Sequence, residues 1–182
     1  MEVGQIANLP YKRTCMKVRI AGAGDAPERD AAAISALLFE FNGEGLDAEA
    51  LARRLVEVRG LETVFLAERG REAVGLLVLR TVPTLSDAED WAEITELYVR
   101  REARRQGVGR ALMQAAIEYA RRQGCAEIHL LVDPENESAL AFYRATGFCQ
   151  DSWEMRRRLE EPRPTLELAL PAKAGIMRPV RP

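Results

Sequence analysis

The sequence predicts an α/β chain in which helices cover both faces of a mixed sheet. Amphipathic helical segments alternate with short β-rich runs, and they do so without the regular period of a barrel. Residues 63–82 read as two consecutive strands joined by a tight turn, a hairpin that a purely parallel sheet would not contain. The length of 182 residues suits one hydrophobic core that needs no disulfide or metal staple.

Each element has its own local reason. After a polar leader over residues 1–15, "MKVRIAG" alternates as a first strand, and a glycine turn leads into the helical run ending "ISALLFEFN". Asp25 and Glu28 form a capping pair there, with Pro27 in the first turn, where a missing N–H costs little. Leu51, Leu55 and Val58 place a second helix near Asp47 to Val58. The hairpin follows, with its turn at Arg69 and Gly70, then a polar loop and the strand "WAEITELYV" over residues 91–99. Leu112, Met113, Ala116, Ile117 and Ala120 form the apolar stripe of a helix from Gly109 to Gln123, and Gly124 caps its end. "CAEIHLLV" reads as a strand, "NESALAFYRAT" as a helix and "WEMRRRL" as a final strand. A single domain over residues 16–160 is expected, followed by a proline-rich tail over 161–182 to which "TLELAL" would add an edge strand.

Composition excludes some functions. With 26 basic and 28 acidic residues, the net charge of −2 does not make the chain an adhesive for nucleic acid or anionic membrane. Three cysteines, Cys15, Cys125 and Cys149, fit no metal knuckle and no disulfide framework, so a reducing, cytoplasmic setting is expected and both Cys125 and Cys149 read as buried small apolar residues. No apolar run approaches the length of a membrane span, and no secretory signal opens the chain, which is expected to be soluble. The "GAG" at residues 22–24 lacks the remainder of a dinucleotide fingerprint.

The stretch "RREARRQGVGRAL", residues 100–112, carries five arginines and two closely spaced glycines in front of a helix. Glutamates on either side dilute its charge, and no stacking aromatics accompany it as they would in a nucleic-acid site. It lacks the lysine and hydroxyl of a P-loop, since Arg110 and Ala111 stand in those places. What remains is strand, Arg104-x-x-Gly107-x-Gly109, helix. Free backbone N–H groups and the positive end of a helix dipole meet there, an arrangement suited to a pyrophosphate as well as to a plain charged turn.

Together with "ITELYV" before it, the helix after it and "NESALAFYRATGF" beyond the next strand, the stretch resembles the GNAT superfamily of acyl-CoA-dependent N-acetyltransferases, whose signature is Q/R-x-x-G-x-G/A. The resemblance runs from about Ala92 to Phe148 and weakly from Met16 onward. It implies a mostly antiparallel sheet with two splayed parallel strands, and acetyl-CoA as co-substrate without a metal. It further implies that the pantetheine arm lies along Leu97, Tyr98 and Val99, with the Val99 N–H stabilising the oxyanion of the tetrahedral intermediate. Arg104, Arg105, Gln106, Gly107, Val108, Gly109 and Arg110 would wrap the pyrophosphate, and Asn136 would contact the cofactor arm. By the same resemblance Tyr143 is the candidate general acid for the departing thiolate, although Leu140, Tyr143 and Phe148 also suit a packing role.

Direct transfer needs a neutral amine, and an alkylammonium titrates near pH 10, so a carboxylate at the splay is sought. Glu96 is that candidate, because an acidic side chain on an apolar strand is costly unless it faces a cleft or a partner; Glu93 is a weaker one. His129, the sole histidine, reads as a packed strand residue. The acidic loops bearing Glu44 and Asp47, and Asp87, Glu89, Asp90 and Glu93, favour a small cationic amine such as a polyamine or an aminoglycoside. Protein or peptide amines are the rival acceptors, a non-catalytic acyl-CoA sensor is the alternative of another class, and a homodimer is the expected assembly.

Overall fold

A computed structural model of the protein describes residues 16–21, 27–85 and 88–150. The chain divides into residues 1–150 and residues 151–182, and the second unit lies outside the described residues. Outside them too are the leader with Cys15, the glycine turn and Asp25 of the expected capping pair, Asp87, the strand expected at 153–159 and the tail.

The elements are β1 (Met16–Ile20), α1 (Pro27–Asn42), α2 (Ala48–Glu57), β2 (Glu62–Arg69), β3 (Glu72–Val82), β4 (Asp90–Val99), a 3-10 turn at Arg101–Ala103, α3 (Val108–Arg122), β5 (Cys125–Leu130) and α4 (Glu137–Ala145). The five strands lie in sequence order. Every pairing is antiparallel except that of β4 with β5.

Alternation along β2 and β3 builds two cores. Val64, Leu66, Leu76 and Val78 pack with Ile34 and Leu37 of α1 and Leu51 of α2. Phe65, Ala67, Leu77 and Leu79 face the other way, against Leu112, Met113, Ala116 and Ala120 of α3. Because β3 is covered on both faces, its middle reads as an unbroken apolar run, Val74–Gly75–Leu76–Leu77–Val78–Leu79. Each large side chain fully removed from water there contributes about 1.5–3 kcal/mol. Leu37, Leu66, Leu76, Leu77 and Leu112 are fully buried and therefore dominate the two cores.

Local signals set the helix ends. Asp47 Oδ1 accepts the Ala50 N–H at 2.8 Å and starts α2. Gly124 follows α3 at φ +84°, the left-handed conformation that ends a helix at little cost for glycine. At the opposite edge of the sheet, Arg19 on β1 donates to both Asp30 oxygens, at 2.9 and 2.5 Å, and to Glu68 at 2.9 Å. Both carboxylates are buried, so the guanidinium supplies the compensation that two buried charges require and ties β1 to α1 and β2.

Three details depart from the sequence reading. The hairpin turn lies at Gly70 and Arg71, with β2 running through Arg69. β5 stops at Leu130, two residues short of the expected end at Val132, as the chain approaches Pro134. Cys125 is only partly buried and Cys149 is exposed, where both were expected inside. Cys125 opens β5 directly after the Gly124 turn, and the neighbour of Cys149, Phe148, takes the packing position at that corner.

Gly75 tests how tightly β3 and β4 meet. A β-carbon there would lie 2.9 Å from the Tyr98 carbonyl oxygen and 3.3 Å from Leu112 and Val99 side-chain carbons. Gly75→Ala is expected to destabilise the fold by about 1–3 kcal/mol. Urea unfolding checks this, with a lowered midpoint and an unchanged slope as the expected outcome.

Candidate active site

The site begins where a strand loses one neighbour. β4 and β5 pair in parallel from Asp90↔Cys125 to Ile94↔Leu130 and no further. β4 nevertheless continues to Val99, still paired with β3 through Val99↔Gly75. From Thr95 to Val99, the edge that faced β5 is therefore open among the described residues. This matches the splayed parallel pair that the resemblance implied.

A β-bulge marks the same place. On β3 the register passes from Leu79↔Ile94 directly to Val78↔Glu96, which leaves Thr95 without an opposite residue. Bulges bend a strand and increase its twist, which turns β4 away from β5 at the point where their ladder ends. The extra residue also changes which side chains share a face. Glu93 and Glu96, three apart, both lie on the α1 and α2 side, because their partners Arg80 and Val78 alternate on β3. Leu97 and Val99 pack toward α3, and Tyr98 toward α1.

The open edge has polar groups to offer. The Arg100 N–H donates to the Val74 carbonyl at 2.9 Å, toward β3. Since successive strand residues direct their N–H groups to opposite edges, those of Leu97 and Val99 turn toward the opening.

Glu96 is half-buried there. Its carboxylate accepts a short hydrogen bond from the Thr95 hydroxyl. Burial pushes its pKa up; the Thr95 bond and Arg80 oppose that shift, and Glu62 and Glu93 add to it. Glu93 forms the ion pair with Arg80, so Arg80 stands between carboxylates contributed by β2 and β4.

Past Val99 the chain turns through Arg101–Ala103 into the first turn of α3. Two residues of this loop are left-handed: Arg105 at φ +60° and Gly107, the N-cap of α3, at φ +82°. Only at Gly107 does the residue type suit that geometry without strain. By helix geometry the first N–H groups of α3, at Val108, Gly109 and Arg110, have no partner within the helix. A β-carbon at Gly109 would touch the Phe142 ring of α4 at 3.4 Å, so a longer side chain would press the two helices apart.

The Arg104 side chain is spent within the protein. Its Nε donates to the Val99 carbonyl at 2.9 Å, and its guanidinium lies 5.8 Å from the centre of the Tyr98 ring. Gln106 donates to the Glu102 carbonyl at 2.8 Å and accepts from Arg69 at 2.6 Å. Their backbones, with those of Arg105 and Arg110, line the loop.

Tyr143 sits on α4, edge-on to Phe142 and Phe148 at ring separations of 5.5 and 5.9 Å. Burial raises its pKa and so holds the phenol protonated. Asn136 caps α4, its Oδ1 accepting from Ala139 N–H and Ser138 Oγ at 3.1 Å each, which leaves its NH2 group as the donor not used in the cap. The packing thus gathers the end of β4, residues 104–110 and α4 on the α3 side, and Glu96 lies across the sheet from Tyr143. His129, expected as a packed strand residue, is exposed on β5, where it stacks on Trp91 at 4.4 Å and bonds Glu127 at 2.9 Å.

The arrangement suits an extended thioester. A strand edge with N–H groups turned toward the opening adjoins a helix N-terminus that begins at Gly107. A cavity of about 520 Å³ lies elsewhere, between β1 and α3.

The model of the acetyltransferase (GNAT) family matches residues 32–148. The chain belongs to this family. It is 44% identical over 57 residues to an uncharacterized N-acetyltransferase of Methanocaldococcus jannaschii, a match covering 31% of this chain and 25% of the relative. It is 34% identical over 85 residues to a mycothiol acetyltransferase of Nocardiopsis dassonvillei, covering 45% of this chain and 26% of that protein. The chain thus spans about a quarter of the length of these curated relatives. In fold it is similar to an aminoglycoside acetyltransferase from an uncultured soil metagenomic sample solved in complex with sisomicin. The TM-score is 0.66 at 23% identity, over 80% of this chain and 97% of that one.

The environment of Glu96 predicts a pH signature in stability. A carboxyl whose folded pKa is raised stabilises the fold below its unfolded value of about 4.3 and loses that contribution as pH rises through the folded value. Glu96→Gln, which stays neutral, should therefore gain stability relative to the parent as pH is raised from 4 to 8. Melting curves of the two proteins across about pH 4–8 check this.

Proposed function

We propose that the protein moves the acetyl group of acetyl-CoA directly to a primary amine. The observation that carries this reading is the opening of β4 beyond Ile94, which ends at the N-terminus of α3. Acetyl-CoA supplies the activated thioester. Leu97, Tyr98 and Val99 give its arm a strand edge, and the amides of Arg104 to Arg110 give its pyrophosphate a positive helix end. The NH2 of Asn136 is a donor for the arm. Residues 16–160 form the acetyltransferase domain in this reading.

At the reacting carbon three groups divide the work. The Val99 N–H, turned toward the opening, stabilises the charge that develops on the carbonyl oxygen. Glu96 takes the proton of the incoming ammonium, directly or through water. Burial raises its pKa, which makes its ionised form a stronger base than an exposed carboxylate. Tyr143, held neutral by burial, returns a proton to the departing thiolate.

A small cationic amine is the acceptor favoured by charge. Glu62, Glu93 and Glu96 lie near one another on the α1 and α2 side of the sheet; Glu44, Asp47 and Glu89 add charge in loops, and Asp90 at the start of β4. The local similarity to a mycothiol acetyltransferase supports a small-molecule acceptor.

A thiol-release assay with acetyl-CoA and a panel of polyamines, aminoglycosides, amino acids and peptides tests the reading. Turnover fastest with di- or polycations is expected; turnover confined to peptides would transfer the acceptor to protein, and none with any amine would leave an acyl-CoA-binding module. Tyr143→Phe should lower kcat by about 100-fold and leave the acetyl-CoA Kd within about twofold. Equal loss of both would indicate packing alone. Glu96→Gln should erase the rise of kcat/KM with pH that its ionisation produces, losing most where Glu96 is ionised and neutral amine is scarce.

A further inference from the structure

Glu40, in the last turn of α1, lies outside the groups assigned to the reaction, yet Arg100 and Tyr98, which flank the end of β4, both converge on it. Arg100 Nε donates to its two oxygens at 3.1 and 3.2 Å, and Arg100 Nη2 lies 2.9 Å from Oε1. The Tyr98 hydroxyl donates to Glu40 Oε2 at 3.3 Å. Tyr98 in turn carries the guanidinium of Arg104 on its ring, and Arg104 holds the Val99 carbonyl. The Phe41 ring covers Tyr98 at 5.6 Å from the same turn of α1.

An exposed ion pair contributes little. Arg100 differs from such a pair in that its side chain is only 18% exposed and planar bonds to Glu40 are joined by a 2.7 Å bond to Glu72. Its own N–H is fixed to Val74, so the residue opening the loop is held at both backbone and side chain.

The loop needs such holding. Arg105 is a non-glycine residue in the left-handed region, a strained conformation that persists only when its surroundings determine it. A loop that relaxed before the ligand arrived would have to be reordered on binding, and affinity would fall accordingly.

We propose that Glu40 is a positioning residue for the cofactor loop: by holding Arg100 and Tyr98 together, it keeps the end of β4 and residues 100–110 in the binding geometry before acetyl-CoA arrives. This rests on the reading that residues 104–110 hold the pyrophosphate. Glu40 touches no reacting atom and acts through Arg100 and Tyr98 alone.

The test is calorimetric titration of the full chain with acetyl-CoA, well below the melting temperature. Glu40→Gln should weaken acetyl-CoA binding about tenfold, and Glu40→Asp should recover most of the loss. With an amine from the panel, KM for acetyl-CoA should rise while kcat at saturation stays within about twofold, a split that a general loss of folded protein would not produce. On an Arg100→Gln background, Glu40→Gln should add less than about twofold, because the two act as one unit. If the parent binds acetyl-CoA and Glu40→Gln binds equally well, the positioning role is wrong and the loop assignment stands. Loss of binding in Glu40→Gln that is merely additive with Arg100→Gln also overturns it. A parent that does not bind acetyl-CoA removes the loop assignment and this role with it.

Discussion

A strand in the middle of a sheet normally has both edges filled, and among the described residues the end of β4 has one. Its ladder with β5 stops at Ile94↔Leu130, while its ladder with β3 runs on to Val99↔Gly75. Everything placed at the site follows from that difference. The Thr95 bulge bends β4 at the point of separation, the open edge exposes the amides of Leu97 and Val99, and the strand then has to turn at Arg100 into the start of α3. Gly75, with no room for a β-carbon, lets β3 lie close against the last residues of β4.

The two cores give this opening its rigidity and its two sides. On the α3 side, Leu97 and Val99 join the cluster of Leu112, Met113 and Ala116, and α4 lies against Gly109 through Phe142. On the other side, Tyr98 joins the cluster under α1, and Glu93 and Glu96 share the sheet surface with Arg80. A candidate acid and a candidate base thus have different surroundings, an apolar pocket of rings for Tyr143 and a half-buried group of charges for Glu96. Burial raises the pKa of both groups, and only around Glu96 do neighbouring charges add to and oppose that shift.

Much of this was legible in the sequence because period and turn chemistry act locally. The stripe of Leu112, Met113, Ala116 and Ala120 predicted α3, and Asp47 and Gly124 predicted the ends of α2 and α3. Arg104, Gly107 and Gly109 marked the loop, and at Gly107 the left-handed N-cap of α3 favours glycine. What stayed hidden depends on pairing between distant residues. The bulge at Thr95 is a property of the β3–β4 register, though the spacing of Glu93 and Glu96, which puts both on one face only if a residue is added, hints at it. The Glu40–Arg100 contact joins residues far apart in the chain and has no local pattern. Likewise, the sequence placed Arg104 in the motif but not the use of its side chain on Val99 and Tyr98.

The central claim is that backbone amides along the open edge of β4 and around the start of α3 form the cofactor site. Amide-resolved NMR titration with acetyl-CoA tests it most directly. The account predicts that the largest shift changes and the greatest gain in exchange protection fall on Val99 and on Arg105 to Arg110. Changes concentrated at the cavity between β1 and α3, with those amides unmoved, would contradict it.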